Sequence, residues 1–216
     1  GSGYPRKKPQ DSARAAKLVM KNGLTRALGR KLCEHYAKTE LLSGVTTIRT
    51  VGGLGNFDSV IRDRIAAGKI IGPRMLVSDM AVSVPDGHMA GSVAHAAHSE
   101  AECRAFVRSI VADRPDWIKL MVTGGVLDAK VKGEPGVLKM PPEYIRACCE
   151  EAHAAGYRVA AHAESPEGVR AALENGVDTI EHGAAPDAEL LRLFKEKNAA
   201  DICTISPAVP LAKFDR

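Results

Sequence analysis

The chain has 216 residues, 45% of them hydrophobic and 26% charged, with a formal net charge of +4. This composition excludes a disordered or fibrous chain and is sufficient for one large or two small hydrophobic cores. Aromatic residues make up only 4%, and the one short basic run, RKK at 6–8, has no aromatic pattern beside it. We therefore predict no nucleic-acid partner.

Membrane and export signals are also missing from the sequence as given. No stretch reaches the roughly 18 apolar residues of a membrane span, and residues 1–30 lack the apolar core of a signal peptide. The five cysteines are an odd number and form no C-x-x-C pair. These observations predict no membrane partner and a reducing, cytoplasmic setting.

Helical and strand patterns alternate along most of the chain. Residues 11–43 predict a helical lead-in, with Gly23 and Gly29 as expected break points. GVTTIRT at 44–50 and NGVDTIEHG at 175–183 then repeat one design, a glycine suited to a helix C-cap followed by a buried strand. Six strands are predicted in all, near 45–50, 74–78, 117–122, 158–162, 178–182 and 201–205.

Helix start signals fall between these strands. They are Ser99 with Glu102, Pro141 with Pro142, Ser165 before Pro166, and Asp187. Strands that alternate with helices in this way predict a parallel sheet and an α/β fold.

Two architectures fit six such units, an open doubly wound sheet and most of an eight-stranded barrel. No G-x-G-x-x-G follows any predicted strand, which argues against the nucleotide-binding open sheet. We favour a (β/α)₈ TIM barrel with about six of its eight strand–helix units present. Long connections at 79–98 and 124–140 follow strand carboxyl ends, the face where barrels keep their active sites.

Three polar residues mark the predicted strands. Lys119 interrupts the apolar run of DWIKLMVTGG, His162 ends the fourth strand, and His182 ends the fifth, twenty residues later. That interval is about one strand–helix unit, so both imidazoles are expected at one rim. Strand alternation predicts which neighbours also face inward: Ala160 with His162, Ile180 with His182, and Trp117 and Met121 with Lys119, while Glu181 faces away.

Each of these residues also has an ordinary structural interpretation. A lysine at a strand end can place its ammonium in solvent, and buried histidines are often no more than hydrogen-bonded core residues. Two histidines at one rim, however, favour a metal site, because neutral imidazoles are common metal ligands. An ammonium is not a ligand, but a carbamate formed from Lys119 and carbon dioxide would be anionic and could bridge two divalent ions. Glu164, in the loop after His162, is near enough to approach a substrate but is not included in the predicted site.

The motif order GVTTIRT, GPRML, DGH, IKLMVTGG, AHAESPEG and GVDTIEHG, over about residues 44–210, resembles the metal-dependent amidohydrolase superfamily. It is most similar to the imidazolonepropionase-like and Xaa-Pro dipeptidase (prolidase-like) members. The resemblance implies two divalent metal ions, zinc in our interpretation, held by N-carboxylated Lys119, His162 and His182. It also implies that His88, in DGH, contacts the substrate.

The sequence departs from the family pattern at both ends. Family members carry an H-x-H on the first barrel strand and an Asp general base on the eighth, and neither is found before Arg216. The β-sandwich built from the family's termini is absent as well. We therefore expect residues 1–43 to be a helical lead-in, residues 44–216 to form six units of a partial amidohydrolase domain, the general base to lie beyond residue 216, and the 216-residue chain alone to be inactive.

The resemblance implies a hydrolase that cleaves the amide C–N bond of a small dipeptide, N-acyl amino acid or cyclic amide with a metal-activated water. One alternative keeps the barrel and makes Lys119 a Schiff-base nucleophile of a lyase or aldolase. Another is an inactive barrel fragment whose open sheet edges make it a homo-oligomer.

Overall fold

The computed structural model describes residues 12–126 and 135–204. The basic run at 6–8, the middle of the 124–140 connection and the end of the sixth predicted strand lie outside these residues. Seven helices lie within them: α1 Ser12–Met20, α2 Gly23–Leu42, α3 Phe57–Ala66, α4 Glu100–Val111, α5 Pro142–Ala154, α6 Pro166–Glu174 and α7 Ala188–Lys197. The strands are β1 Thr47–Arg49, β2 Arg74–Leu76, β3 Ala81–Ser83, β4 Ala94–Ala96, β5 Trp117–Met121, β6 Arg158–Ala163, β7 Thr179–His182 and β8 Ala200–Ile202.

All of these strands pair in parallel, as the alternation of helices and strands predicts. Six form one sheet in the order β4-β3-β5-β6-β7-β8, and β1 pairs with β2. The carbonyl of Val77, just past β2, accepts hydrogen bonds from the backbone N–H groups of Asp116 (2.7 Å) and Trp117 (3.2 Å). The β1–β2 pair therefore lies beside β5, and the chain has an α/β fold with a parallel sheet.

The connection predicted at 79–98 is not a plain loop, because it contains β3 and β4. Each of these strands has only three residues, and β3 touches β5 through the single register pair Val82–Leu120. Segments this short carry no periodic pattern, and the turn residues Pro85, Asp86 and Gly87 dominate the local sequence. For this reason the sequence predicts a loop where the structure has two strands.

The helix signals of the sequence correspond to observed caps. The side chains of Ser99, Ser165 and Asp187 accept hydrogen bonds from the backbone N–H groups of α4, α6 and α7. The lead-in is two helices, and Asn22 caps α2 just before Gly23. Gly29 does not break α2, which runs through it. A Cβ at this position would lie 2.4 Å from a Val19 methyl, so the glycine lets α1 pack closely against α2.

The main hydrophobic core lies between the six-stranded sheet and helices α4–α7. It includes Ile118 and Leu120 of β5, Ala161 of β6 and Ile180 of β7, all fully buried. A smaller core joins α1–α3 to the β1–β2 pair. The side chains of β5–β7 that point away from the main core face the inner side of the strands, where the polar residues gather.

Candidate metal centre

Neighbouring strands bring the three predicted residues together. In the parallel register, Lys119 of β5 lies opposite Ala160 of β6, and Met121 lies opposite His162. The imidazole centroids of His162 and His182 are 4.8 Å apart in an edge-on arrangement, and Lys119 acts electrostatically on both rings. The register predicted from the twenty-residue spacing thus does place these side chains at one rim.

The expected facing of β7 was wrong. Ile180 packs in the outer core, and Glu181, predicted to face away, is 5% exposed on the inner side and pairs with Arg49 at 3.0 Å. His182 nevertheless reaches the same rim, because its φ of +75° breaks strand alternation at the last residue of β7. Left-handed backbone at a non-glycine residue is uncommon, and the alternation of side chains along a β-strand does not predict it.

Lys119 is buried, with only 2% of its surface exposed. Burial lowers the pKa of its ammonium to about 7, against the opposing effect of Glu181. An amine with that pKa is deprotonated in a large fraction of molecules at neutral pH, and the neutral amine is the form that reacts with carbon dioxide. The side chain therefore does not escape to solvent, as the ordinary interpretation of a strand-end lysine required.

Hydrogen bonds select one ring nitrogen of each histidine. His162 Nε2 lies 3.0 Å from the carbonyl oxygen of Gly124, which accepts only from a protonated nitrogen, so the lone pair is on Nδ1. His182 Nδ1 lies 2.9 Å from Thr204 Oγ1, so Nε2 is the ring nitrogen outside this hydrogen bond. Burial, followed by the charge of His88, lowers the pKa of His162 to about 3. Both rings have the kind of outer hydrogen bond that orients a metal-binding histidine.

Glu164 joins the two histidines. One ligand atom from each of His162, Glu164 and His182 lies within 4.8 Å of the others. Two bonds of about 2.0–2.1 Å span a little over 4 Å, so these atoms are spaced close to what one divalent ion requires. The Glu164 backbone N–H also donates to Thr123 Oγ1 at 3.1 Å, which fixes the start of this loop. Sequence reasoning left Glu164 out because it follows the strand end, where strand alternation no longer applies.

His88 packs against the same site. Its ring stacks on that of His162 with centroids 4.3 Å apart, and it is 9% exposed. Positive φ angles at Asp86 (57°) and Met89 (56°) turn the chain so that the ring points inward. Gly125 makes room for it, since a Cβ at that position would lie 2.4 Å from the ring. His88 is therefore part of the site, although the preceding Pro85-Asp86-Gly87 alone would suggest only a turn.

Three other histidines lie elsewhere. His35 is exposed on α2, and His153, exposed on α5, pairs with Asp178 at 2.9 Å. His95 stacks on Phe106 with centroids 4.4 Å apart. The site thus draws on four of the histidine and lysine positions singled out in the sequence, together with Glu164.

The chain is similar to known proteins of one family. Residues 15–212 match the amidohydrolase family, so the chain belongs to that family. Ochratoxinase from Aspergillus niger is 28% identical over 190 residues, which cover 77% of this chain and 38% of that protein. The ochratoxinase crystal structure superposes with a TM-score of 0.79 at 23% identity, covering 88% of this chain and 48% of that one, and supports the fold alone.

Two further solved structures are similar. One is the crystal structure of a protein from Bifidobacterium longum that is described as a prolidase. It is 44% identical with a TM-score of 0.66, and the match covers 77% of this chain and 39% of that one. The other is a Xaa-Pro dipeptidase with bound methionine, with 29% identity, a TM-score of 0.70, and coverage of 95% and 50%. The chain thus spans half or less of the length of these relatives.

Among the helices of the described residues, none combines the length and the apolar character needed to cross a bilayer. The cytoplasmic setting and the homo-oligomer stay predictions.

Proposed function

We propose that the chain carries the metal-binding part of a hydrolase that cleaves an amide C–N bond in a small dipeptide, N-acyl amino acid or cyclic amide. The observation that carries this proposal is the His162–Glu164–His182 group beside a buried Lys119. Family membership and the prolidase and ochratoxinase relatives support the same reaction class.

We further propose two divalent ions, zinc in our interpretation, with His162 Nδ1 and His182 Nε2 as ligand atoms. Lys119 would join them as a carbamate. In that step the neutral Nζ would attack the carbon of carbon dioxide, a new N–C bond would form as one C=O π bond opens and its electron pair moves to oxygen, and one proton would pass from the nitrogen to solvent. The lowered pKa of Lys119 supports this step, because it supplies the unprotonated amine near pH 7.

Divalent ions in such sites polarise the scissile carbonyl and acidify a water molecule. The protein residues supply orientation: the Gly124 carbonyl and Thr204 hold the two rings, and stacking on His162 positions His88. From there the His88 imidazole can reach a bound amide. The family's general base is an Asp on its eighth strand, and no residue of this chain is assigned that role.

We also propose that the described strands and helices from β1 onward are strand–helix units of a TM barrel, preceded by helices α1 and α2 as a lead-in. The likeness to solved structures of the family supports a barrel. Because the sequence contains neither the H-x-H nor the eighth-strand Asp motif, we expect the 216-residue chain to bind metal and to hydrolyse amides slowly if at all.

The test is a metal-dependence assay on the 216-residue chain with Xaa-Pro dipeptides and N-acyl amino acids. We expect zinc binding that a chelator reverses, and little turnover. A control with His35→Ala, which changes an exposed histidine on α2, should bind metal normally. Absence of zinc binding by a correctly folded chain would contradict the proposal.

A Schiff-base lysine is the second candidate, and burial of Lys119 with its lowered pKa favours it as well. Borohydride trapping separates the two functions. A stable adduct between Lys119 and a carbonyl substrate, formed without metal, would support the lyase, whereas zinc binding at the histidines would support the hydrolase.

A further inference from the structure

Two buried cysteines meet at the interface between α4 and α5, outside the candidate metal centre. Cys103 lies on α4 and Cys148 on α5, and neither has any exposed surface. Their thiols share a hydrogen bond, and both are free. They are called the Cys103–Cys148 pair below.

Contacts on either side of the pair hold the two helices in register. Before it, the Tyr144 hydroxyl of α5 donates to the carbonyl oxygen of His98, just ahead of α4, at 2.7 Å. After it, Arg108 Nη1 of α4 lies 3.1 Å from Glu151 Oε2 of α5. The partners advance in the same direction along both helices, so α4 and α5 run roughly parallel. The thiols are therefore held together by two anchored helices, because the Cys103–Cys148 pair lies between these contacts.

The side chain of Arg104 lies beside the pair and also reaches solvent. It crosses from α4 to α5, donating to the Ala147 carbonyl at 3.3 Å and pairing with Glu150 at 2.6 Å. Its charge acts on both thiols, and the side chain is 33% exposed. Exposed ion pairs contribute little to stability, so this side chain can move away at small cost and admit a small oxidant.

The two thiols differ in acidity. The hydrogen bond from Cys148, opposed by burial, lowers the pKa of the Cys103 thiol. The same hydrogen bond, followed by burial, raises the pKa of the Cys148 thiol well above its ordinary value. Thiolates are the form of cysteine that peroxides oxidise, and a second thiol close by converts the product to a disulfide. Cys103 thus suits the attacking role, and Cys148 suits the resolving role.

We propose that the Cys103–Cys148 pair is a site of oxidative modification, at which a peroxide joins α4 to α5 through an intramolecular disulfide. Cys103 Sγ attacks one peroxide oxygen, an S–O bond forms, the O–O bond breaks, and the leaving oxygen departs as water after taking up a proton. The Cys148 thiol then attacks the sulfenic sulfur, an S–S bond forms, and the S–O bond breaks with loss of a second water. Two thiols are oxidised by two electrons, and one hydrogen peroxide is reduced to two waters.

The site is independent of the proposed metal centre, because neither cysteine belongs to that centre. Helix α4 precedes β5 and helix α5 precedes β6, so the disulfide would tie together the helices that lead into the strands of Lys119 and His162.

The experiment treats the folded 216-residue chain with hydrogen peroxide, blocks the remaining thiols and maps the proteolytic peptides by mass spectrometry. We expect one cross-linked peptide pair that contains Cys103 and Cys148, is lighter by two hydrogen atoms and separates on reduction. Cys103→Ser and Cys148→Ser should each lose this product. The matched controls Cys149→Ser, which changes the adjacent buried cysteine, and Cys203→Ser, which removes an exposed thiol, should keep it.

The same treatment in urea shows whether the fold selects the pair. An unfolded chain should give a mixture of linkages among the five cysteines, whereas the folded chain should give the single linkage. A similar mixture under both conditions would overturn the proposal. So would a folded chain in which Cys203 is oxidised while Cys103 and Cys148 stay reduced, or one in which Cys103 is oxidised to the sulfinic acid without a cross-link.

Circular dichroism checks that each variant is folded. If a serine variant does not fold, fragmentation of the cross-linked wild-type peptides decides the matter, because it assigns the bond to Cys148 or to Cys149. A bond to Cys148 supports the proposal, and a bond to Cys149 contradicts it.

Discussion

Strand β5 and helix α2 are both rich in apolar residues, yet the chain buries them to very different extents. Ile118 and Leu120 of β5 are fully buried, whereas Leu24 and Leu28 of α2 are 71% and 62% exposed. The strand packs against α4 and α5, while the outer face of α2 has no such cover within the described residues. The candidate metal centre is carried by the well-packed region, so its geometry does not depend on whatever contacts the outer face of α2.

The largest expected effect compares one leucine from each region. Leu120→Ala should lower the free energy of unfolding by about 2–5 kcal/mol, because it leaves a cavity in the main core. Leu28→Ala, on the exposed face of α2, should change it by no more than about 0.5 kcal/mol. Urea unfolding of both variants measures the difference. Similar losses would show that the outer face of α2 is covered in solution.

The second prediction contrasts one histidine from each region. His162→Ala should weaken zinc binding by about 100-fold, because it removes a ligand atom and not merely an outer hydrogen bond. His35→Ala, on the exposed side of α2, should leave zinc binding unchanged. Equilibrium dialysis with metal analysis gives both affinities. Equal zinc affinities of the two variants would show that His162 is not a metal ligand.

The third prediction concerns pH. Lys119 has a pKa of about 7 in the folded chain, while an unfolded lysine keeps a pKa of about 10.4. Between those values the unfolded state holds one more proton, so the free energy of unfolding of the metal-free protein rises with pH, by up to about 1.4 kcal/mol per pH unit. Urea unfolding between pH 7 and 9 should show that slope, and Lys119→Met should lack it.

Lys31→Met is the matched control for the pH experiment, since Lys31 has a side chain that is 70% exposed on α2. Its unfolding curves should keep the wild-type pH dependence. Parallel curves for wild type and Lys119→Met would contradict a buried, easily deprotonated Lys119.

The smallest expected effect is at two glycines. Gly23→Ala should stabilise the chain by about 0.5 kcal/mol, because a Cβ at the first residue of α2 meets nothing within 4 Å and reduces the freedom of the unfolded chain. Gly125→Ala should instead destabilise it, since the new Cβ would lie 2.4 Å from the His88 ring. Melting temperatures test both, and a stabilising Gly125→Ala would mean that His88 does not pack where the structure places it.

Much of the fold could be predicted from periodicity alone. The six strands of the apolar runs and the caps at Ser99, Ser165 and Asp187 are local signals, and the structure has them. The strands β3 and β4 could not be predicted, because three residues that pair through non-local contacts leave no pattern in the sequence.

The site was predictable where strand alternation holds. Lys119 and His162 follow it, and the structure places both on the inner side as expected. The facing of Glu181 was missed because His182 adopts a positive φ. The contact between Arg49 and Thr179 was missed because the two residues are 130 positions apart, and no local pattern links them.

The central claim is that Lys119 and the two histidines form one metal centre. Zinc titration of the wild-type chain and of Lys119→Met, both in bicarbonate buffer, tests it most directly. We predict at least one zinc bound per wild-type chain and an affinity at least about tenfold lower for Lys119→Met. Equal zinc affinity in the two proteins would contradict the claim, because it would show that Lys119 takes no part in the centre.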